Sequence, residues 1–235
     1  MSSPLVAFIL GAGANVGRSI ALKLKENSYA VAVGSRNPDK EASKKDGFFP
    51  VPVDITSQES LTKAFETVKK ELGAPNVVIY NAAILEVPKE PSDPLSLDIE
   101  GFNKSVIFGQ NVFLAAQLAL PGFRSEGHKS NPRAFITTGN LLPFIPATVT
   151  RLVSLSTQKV VESHLAELFS NTYSKEGVRF HYAHFVGEDG AIPPYSDFLV
   201  SGPDHAKAYW DLISSEKIER WDYRFVKGGE KYGGY

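Results

Sequence analysis

The amino-acid sequence predicts a single α/β domain spanning residues 1–235, a doubly wound parallel sheet in three layers, α/β/α. Three observations predict it. Short apolar runs alternate along the chain with longer amphipathic stretches, the pattern of parallel strands joined by crossover helices. A glycine-rich turn, Gly11-Ala12-Gly13-Ala14-Asn15-Val16-Gly17, follows the first apolar run directly and opens the first helical stretch. The third apolar run carries Pro50 and Pro52. Proline removes a ladder donor, so this strand belongs at a sheet edge, where the strand order 3-2-1-4-5-6 requires it.

Each element has its own signal. Strands are expected at Val6 to Leu10, Ala30 to Gly34, about Phe48 to Val53, Val77 to Tyr80, Ala134 to Thr138, Val178 to Val186 and Trp221 to Val226, all short apolar runs. The first helix runs from about Val16 to Asn27. Asn37-Pro38 reads as a cap with proline in the first turn of a short second helix. Thr56 with Glu59 reads as a capping box for a helix from Ser57 to Leu72, stopped by Gly73-Ala74-Pro75. Leu85 to Pro94 is proline-rich and acidic, hence a loop. A long helix is expected from about Leu97 to Leu120, stopped by Pro121-Gly122, and a polar loop from Arg124 to Pro132. Leu141 to Thr150 reads as irregular, Arg151 to Tyr173 as a second long helix, and Asp204 to Ser215 as the last one. The glycine-rich tail, 228–235, is expected to be mobile or partner-dependent.

Composition narrows the function classes. With 235 residues the chain can bury a full core, and 43% hydrophobic with 22% charged residues is ordinary for a soluble globular protein. The net charge of -1, with no like-charge block, argues against nucleic acid and membrane surfaces as partners. The absence of cysteine excludes disulfides, thiolate metal sites and a cysteine nucleophile, and fits a cytoplasmic protein. No run approaches the roughly 18 apolar residues of a membrane span. Met1-Ser2-Ser3-Pro4 offers no basic leader, so export is not expected.

The glycine-rich turn is the strongest motif, because it sits between a strand and a helix. Glycine lets a backbone turn tightly and approach phosphate oxygens without a Cβ clash. The free amides and positive end of the following helix can then receive a diphosphate. The bland alternative is a plain tight turn. Gly11, Asn15 and Gly17 resemble the Gly-x-x-x-Gly-x-Gly turn of the short-chain dehydrogenase/reductase family, a Rossmann-fold family. Asn15 stands at the middle glycine and is a residue that tolerates positive φ. Three more features sit where that family places them. Asp54-Ile55 resembles the acidic-apolar pair beside adenine, Asn81-Ala82-Ala83 resembles the Asn-Ala-Gly element after strand four, and Lys159 lies in the long helix after strand five.

The resemblance covers nearly the whole chain and implies a nicotinamide dinucleotide held by Gly11, Gly13, Asn15, Val16, Gly17, Asp54, Ile55, Asn81, Ala82, Ala83 and Lys159. Each has a plainer alternative. Asp54 could cap a helix, although Thr56 offers a better cap; Asn81 could brace strands; Lys159 could be a solvated helix lysine. At the end of strand two, where NAD-preferring relatives place a carboxylate, stand Ser35 and Arg36. A hydroxyl and a guanidinium suit a 2′-phosphate, so NADP is expected over NAD, with Arg18 able to add charge. The alternative for Arg36 is an ordinary surface arginine.

The family's chemistry is largely missing. Its proton-donating tyrosine lies four residues before the lysine, and that position here is Leu155. Its serine should fall near the end of strand five, where Thr138 and Asn140 are the candidates able to hydrogen-bond a substrate. Its helix asparagine aligns with Phe108, and Asn111 stands about one turn further on. Replacement acids could come from Tyr182, His184 or Tyr195, for which packing roles are the alternative. His181 and His184 are three apart on a strand and so on opposite faces, which argues against a metal pair, and no metal is expected. The resemblance is to an atypical branch without the tyrosine. It implies an NADP-dependent oxidoreductase acting on a small carbonyl or alcohol, and a homo-oligomer built through the two long helices. A catalytically silent sensor or assembly subunit, or a non-redox isomerase or cyclase, remains open on the same fold.

Overall fold

The computed structural model describes residues 3–234. Seven strands form one parallel sheet: β1 (Val6–Leu10), β2 (Ala30–Ser35), β3 (Phe49–Pro52), β4 (Val77–Tyr80), β5 (Ala134–Thr138), β6 (Arg179–Phe185) and β7 (Asp222–Phe225). Their order is β3-β2-β1-β4-β5-β6-β7. The proline-bearing β3 lies at an edge, as its missing donors require. The order reverses between β1 and β4, and a crevice forms at the carboxyl ends of strands at such a point.

Alternation along the strands feeds two cores. Val6, Phe8, Leu10, Val78, Tyr80, Phe135 and Phe180 face helices α3 (Gln58–Glu71), α4 (Ile99–Phe123) and α5 (Val153–Tyr173). Ala7, Ile9, Val31, Val33, Ile79, Ile136 and Phe185 face α1 (Val16–Glu26) and α7 (Gly202–Ser214). Two short helices, α2 (Lys40–Lys45) and α6 (Tyr195–Phe198), complete the set.

Several boundaries differ from those the sequence predicts. Asp39 rather than Asn37 caps α2, its carboxylate accepting from the Ala42 amide at 2.9 Å. Ser57 rather than Thr56 caps α3, because the Thr56 amide and hydroxyl are both committed to Asp54 Oδ1 at 2.9 and 2.8 Å. α4 continues through Pro121 and Gly122 to Phe123. A proline in a last turn forfeits one backbone bond. Burying Phe123 completely, edge-on to Phe180, offsets that loss. By length and composition α4 could also cross a bilayer, but here it lies on the sheet against α5.

Residues 228–234 fold back on β7. The Val226 amide donates to Glu230 O at 2.9 Å and the Tyr232 amide to Arg224 O at 2.9 Å, while the Gly228 amide donates to Asp204 Oδ1. Tyr235, the last residue of the predicted mobile tail, lies outside the described residues.

Candidate dinucleotide site

The turn between β1 and α1 is built by close backbone packing. Gly11 has φ +90°, and a Cβ there would stand 2.6 Å from the Ala82 amide nitrogen. A Cβ on Gly17 would stand 2.7 Å from Ala12 Cα. Gly13, by contrast, faces open space. The Asn81 side chain donates to Gly11 O at 2.7 Å, which ties the β4 loop to the turn. Both edges of the crevice are therefore held by one asparagine. Among the described residues, the amides of Asn15, Val16 and Gly17 have no acceptor, which leaves them available to an anion at the positive end of α1.

Asn15 departs from expectation. Its φ is -90°, so it does not take the left-handed conformation of the glycine it replaces. Its side chain reaches away from the turn instead. Nδ2 donates to Phe198 O at 3.1 Å, and Oδ1 accepts from the Gly202 amide at 2.9 Å. Asn15 thus joins the glycine turn to the start of α7.

At the end of β2, Ser35 is half-buried and Arg36 exposed, and neither side chain has a protein partner among the described residues. Arg18 is committed elsewhere, to Asp46 at 2.8 Å. Asp54 Oδ1 accepts twice from Thr56, so Asp54 staples its own loop, and the argument that Thr56 caps α3 and frees Asp54 fails. Ile55 is buried in the core, and its carbonyl accepts from Asn111 Nδ2. Asn111 therefore braces the β3–α3 loop, while the Phe108 carbonyl accepts from Tyr80 at 2.8 Å. Ala82 is buried beside Gly11, and Ala83 is exposed.

Lys159 is not solvated. It is buried, donating to Thr138 O at 2.8 Å and to the buried Glu162 at 2.7 Å. Burial pushes the Glu162 carboxyl up, opposed by the Lys159 ammonium and by Gln158. Gln158 Nε2 donates to the other Glu162 oxygen at 2.6 Å, and its Oε1 accepts from the Ile84 amide at 3.2 Å. Glu162 and Gln158 were not singled out from the sequence. The signal was present: an acid three residues after Lys159 on α5 shares the lysine's inward face.

Thr138 Oγ1 accepts from the Tyr209 hydroxyl at 2.9 Å and keeps its own proton to donate. Burial holds the Tyr209 phenol well above its ordinary value. Asn140 Oδ1 accepts from the Leu142 amide at 3.0 Å, and its side-chain nitrogen has no partner among the described residues. Tyr182 is fully buried, its hydroxyl exchanging bonds with the Asn140 backbone at 3.0 and 3.1 Å. His184 Nε2 pairs with Asp222 at 2.7 Å beneath the stacked ring of Phe144, and burial lowers its pKa against the pull of that carboxylate. Tyr195 stands exposed on α6. None of these three reaches the Lys159 ammonium through a hydrogen bond. A pocket of about 260 Å³ lies between Pro94, the 142–150 segment and Val153, Ser156 and Thr157 of α5, and no dinucleotide candidate lines it.

Comparison with known proteins agrees with this architecture. Residues 5–130 match the family model described as short chain dehydrogenase. The chain is 31% identical to the short chain dehydrogenase/reductase dmxR12 of Cryptosporiopsis sp., over 97% of this chain and 94% of the relative. It is 24% identical to the short-chain dehydrogenase/reductase PhomF of Diaporthe leptostromiformis, over 75% and 67% of the two chains. Among solved structures, a 3-ketoacyl-(acyl-carrier-protein) reductase from Brucella melitensis complexed with NADH superposes with a TM-score of 0.76 at 17% identity, covering 98% of both chains. A short-chain type dehydrogenase/reductase from Mycobacterium marinum gives 0.76 at 19% identity, covering 99% and 96%. At those identities the superpositions speak for the fold. The family-model match and the full-length relative decide the assignment: this chain belongs to the short-chain dehydrogenase/reductase family of oxidoreductases.

Proposed function

We propose that the chain is an NADP(H)-dependent oxidoreductase that interconverts a small carbonyl and its alcohol without the family's usual tyrosine. The observation that carries the reading is a glycine turn open at Gly13, with amides at Asn15 to Gly17 and side chains of Ser35 and Arg36 at the neighbouring strand end that have no partner among the described residues. A diphosphate fits the turn, and a 2′-phosphate fits Ser35 and Arg36. When bound, the dinucleotide supplies or accepts the hydride. The chain must hold the carbonyl and handle the proton. Leu155 can do neither, so the carbonyl falls to the Thr138 hydroxyl, backed by Tyr209, and to the Asn140 amide, and the proton comes from solvent water. The chain is further proposed to act as a homo-oligomer through the exposed apolar side chains of α4 and α5.

A second reading, a silent NADP(H)-binding protein, is favoured by one observation: two of the three Lys159 protons are already committed within the protein. Titration and turnover distinguish them. NADPH is expected to bind more tightly than NADH. Arg36→Ser is expected to weaken NADPH by on the order of tenfold to a hundredfold, the worth of a lost charge-assisted bond, and to leave NADH unchanged. Equal or reversed preference in the unaltered protein removes the NADP assignment. Steady NADPH consumption with a carbonyl panel supports the enzyme, and tight binding with no consumption supports the silent protein.

A further inference from the structure

The dinucleotide reading, on which this inference rests, leaves one feature of the site unused: the buried carboxylate against Lys159. Lys159 and Glu162 stand three residues apart on α5, with Nζ 2.7 Å from Oε2 and both side chains almost wholly buried. The pair is anchored at both walls of the crevice. Lys159 holds the carbonyl of Thr138 at the end of β5, and Gln158 joins Glu162 to the Ile84 amide in the loop after β4. These strand ends lie on the opposite side of the glycine turn from Ser35 and Arg36. A dinucleotide with its diphosphate on the turn and its adenosine toward β2 directs its nicotinamide to the β4–β5 half.

Charge decides what that half tolerates. An oxidised nicotinamide ring is cationic and a reduced one is neutral. A lone ammonium nearby repels the first and is indifferent to the second, whereas an ion pair presents only a dipole. We propose that Glu162 is a positioning residue that holds Lys159 and cancels its charge in the nicotinamide half of the crevice, so that the site accepts the oxidised and reduced dinucleotides without an electrostatic bias. Besides Lys159, the phenols of Tyr80 from β4, Tyr182 from β6 and Tyr209 from α7 feel the Glu162 charge. Burial holds all three above their ordinary values, so they stay neutral between pH 6 and pH 9.

The test is calorimetric titration of the full chain with NADPH and with the oxidised form, from pH 6 to pH 9, alongside Glu162→Gln and Lys159→Met. In the unaltered protein the ratio of the two Kd values is expected to be flat toward pH 9, where Glu162 is ionised and the pair has no net charge, with any drift confined to the acid end, where the raised carboxyl takes up a proton. Glu162→Gln is expected to weaken the oxidised form relative to the reduced one by about tenfold at pH 6, the order of magnitude of one uncompensated unit charge in a site of effective dielectric about 20. Lys159→Met is expected to shift the ratio the other way, increasingly so as pH rises and the lone carboxylate ionises. Loosened packing cannot produce opposite signs. If Glu162→Gln fails to fold, the pH profile of the unaltered protein and the Lys159→Met arm still decide. A ratio that titrates toward pH 9 in the unaltered protein, or variants that shift it in the same direction, overturns the proposal while the dinucleotide site stands. No binding of either form removes both.

Discussion

Asn15 shows how one side chain can change what a motif does. In the family's turn a glycine at this place contributes only backbone freedom. Here asparagine contributes two bonds to the β6–α7 connection, at Phe198 O and the Gly202 amide, and makes no side-chain cap on α1. Gly202 answers with close packing, since a Cβ there would stand 2.6 Å from Asn15 Oδ1. Asn15→Ala is expected to lower stability by about 1–2 kcal/mol, the worth of two ordinary hydrogen bonds, measured by denaturant titration. Asn15→Gly, which restores the family motif, should cost at least as much, because it loses the same bonds and adds chain entropy. A glycine variant as stable as the parent would show that the asparagine only fills a turn. The sequence pointed to a role for position 15 in the turn. It could not show the tie, because the partners lie more than 180 residues away.

At the scale of elements, α4 and α5 are the informative pair. Each buries one face on the sheet or on its neighbour, as Val112, Ala115, Ala119 and Ala166 show. Each also leaves apolar side chains outside: Phe113, Val160 and Leu168 are about half exposed. Such a surface on two adjacent helices suits self-association. Sedimentation velocity is expected to find a dimer or tetramer, and Leu168→Glu to shift it toward monomer without altering the melting profile of the fold. A monomeric parent protein would sink the oligomer reading. Strands and helices were legible here from periodicity, since core faces follow alternation. Helix ends were less so. Pro121 reads as a stop, yet the burial of Phe123 carries α4 past it, and Thr56 reads as a cap, yet Asp54 takes its hydroxyl. Local propensity is a weak prior that tertiary contacts override.

For the molecule as a whole, buried histidines set the response to acid. Burial lowers His181 and His205 to about 4. Both are therefore neutral in the folded state and charged in the unfolded chain below pH 6.5. The unfolded state then binds more protons, so stability present above pH 6.5 is lost as pH falls toward 4. Each should cost roughly 1.5 kcal/mol at pH 5.5 relative to pH 8. Glu162, raised by burial, shifts in the opposite sense and offsets part of the slope. Urea titrations at the two pH values check this, and His205→Phe should remove its own share of the loss, roughly 1.5 kcal/mol. Unchanged stability between pH 8 and pH 5.5 would contradict the assignment of neutral buried rings.

The sequence by itself determined the sheet, the edge placement of β3, the glycine turn between β1 and α1 and the absence of a tyrosine at position 155. These are local facts: periodicity, proline and glycine act through the backbone within a few residues. Only the tertiary structure decided what surrounds the lysine. Glu162 lies in its own helix, but Thr138 O and the Gln158 tie to Ile84 come from strand ends brought together by the fold. Whether a buried charge is paired depends on which side chains the sheet and helices bring within about 3 Å, and no pattern along the chain encodes that distance.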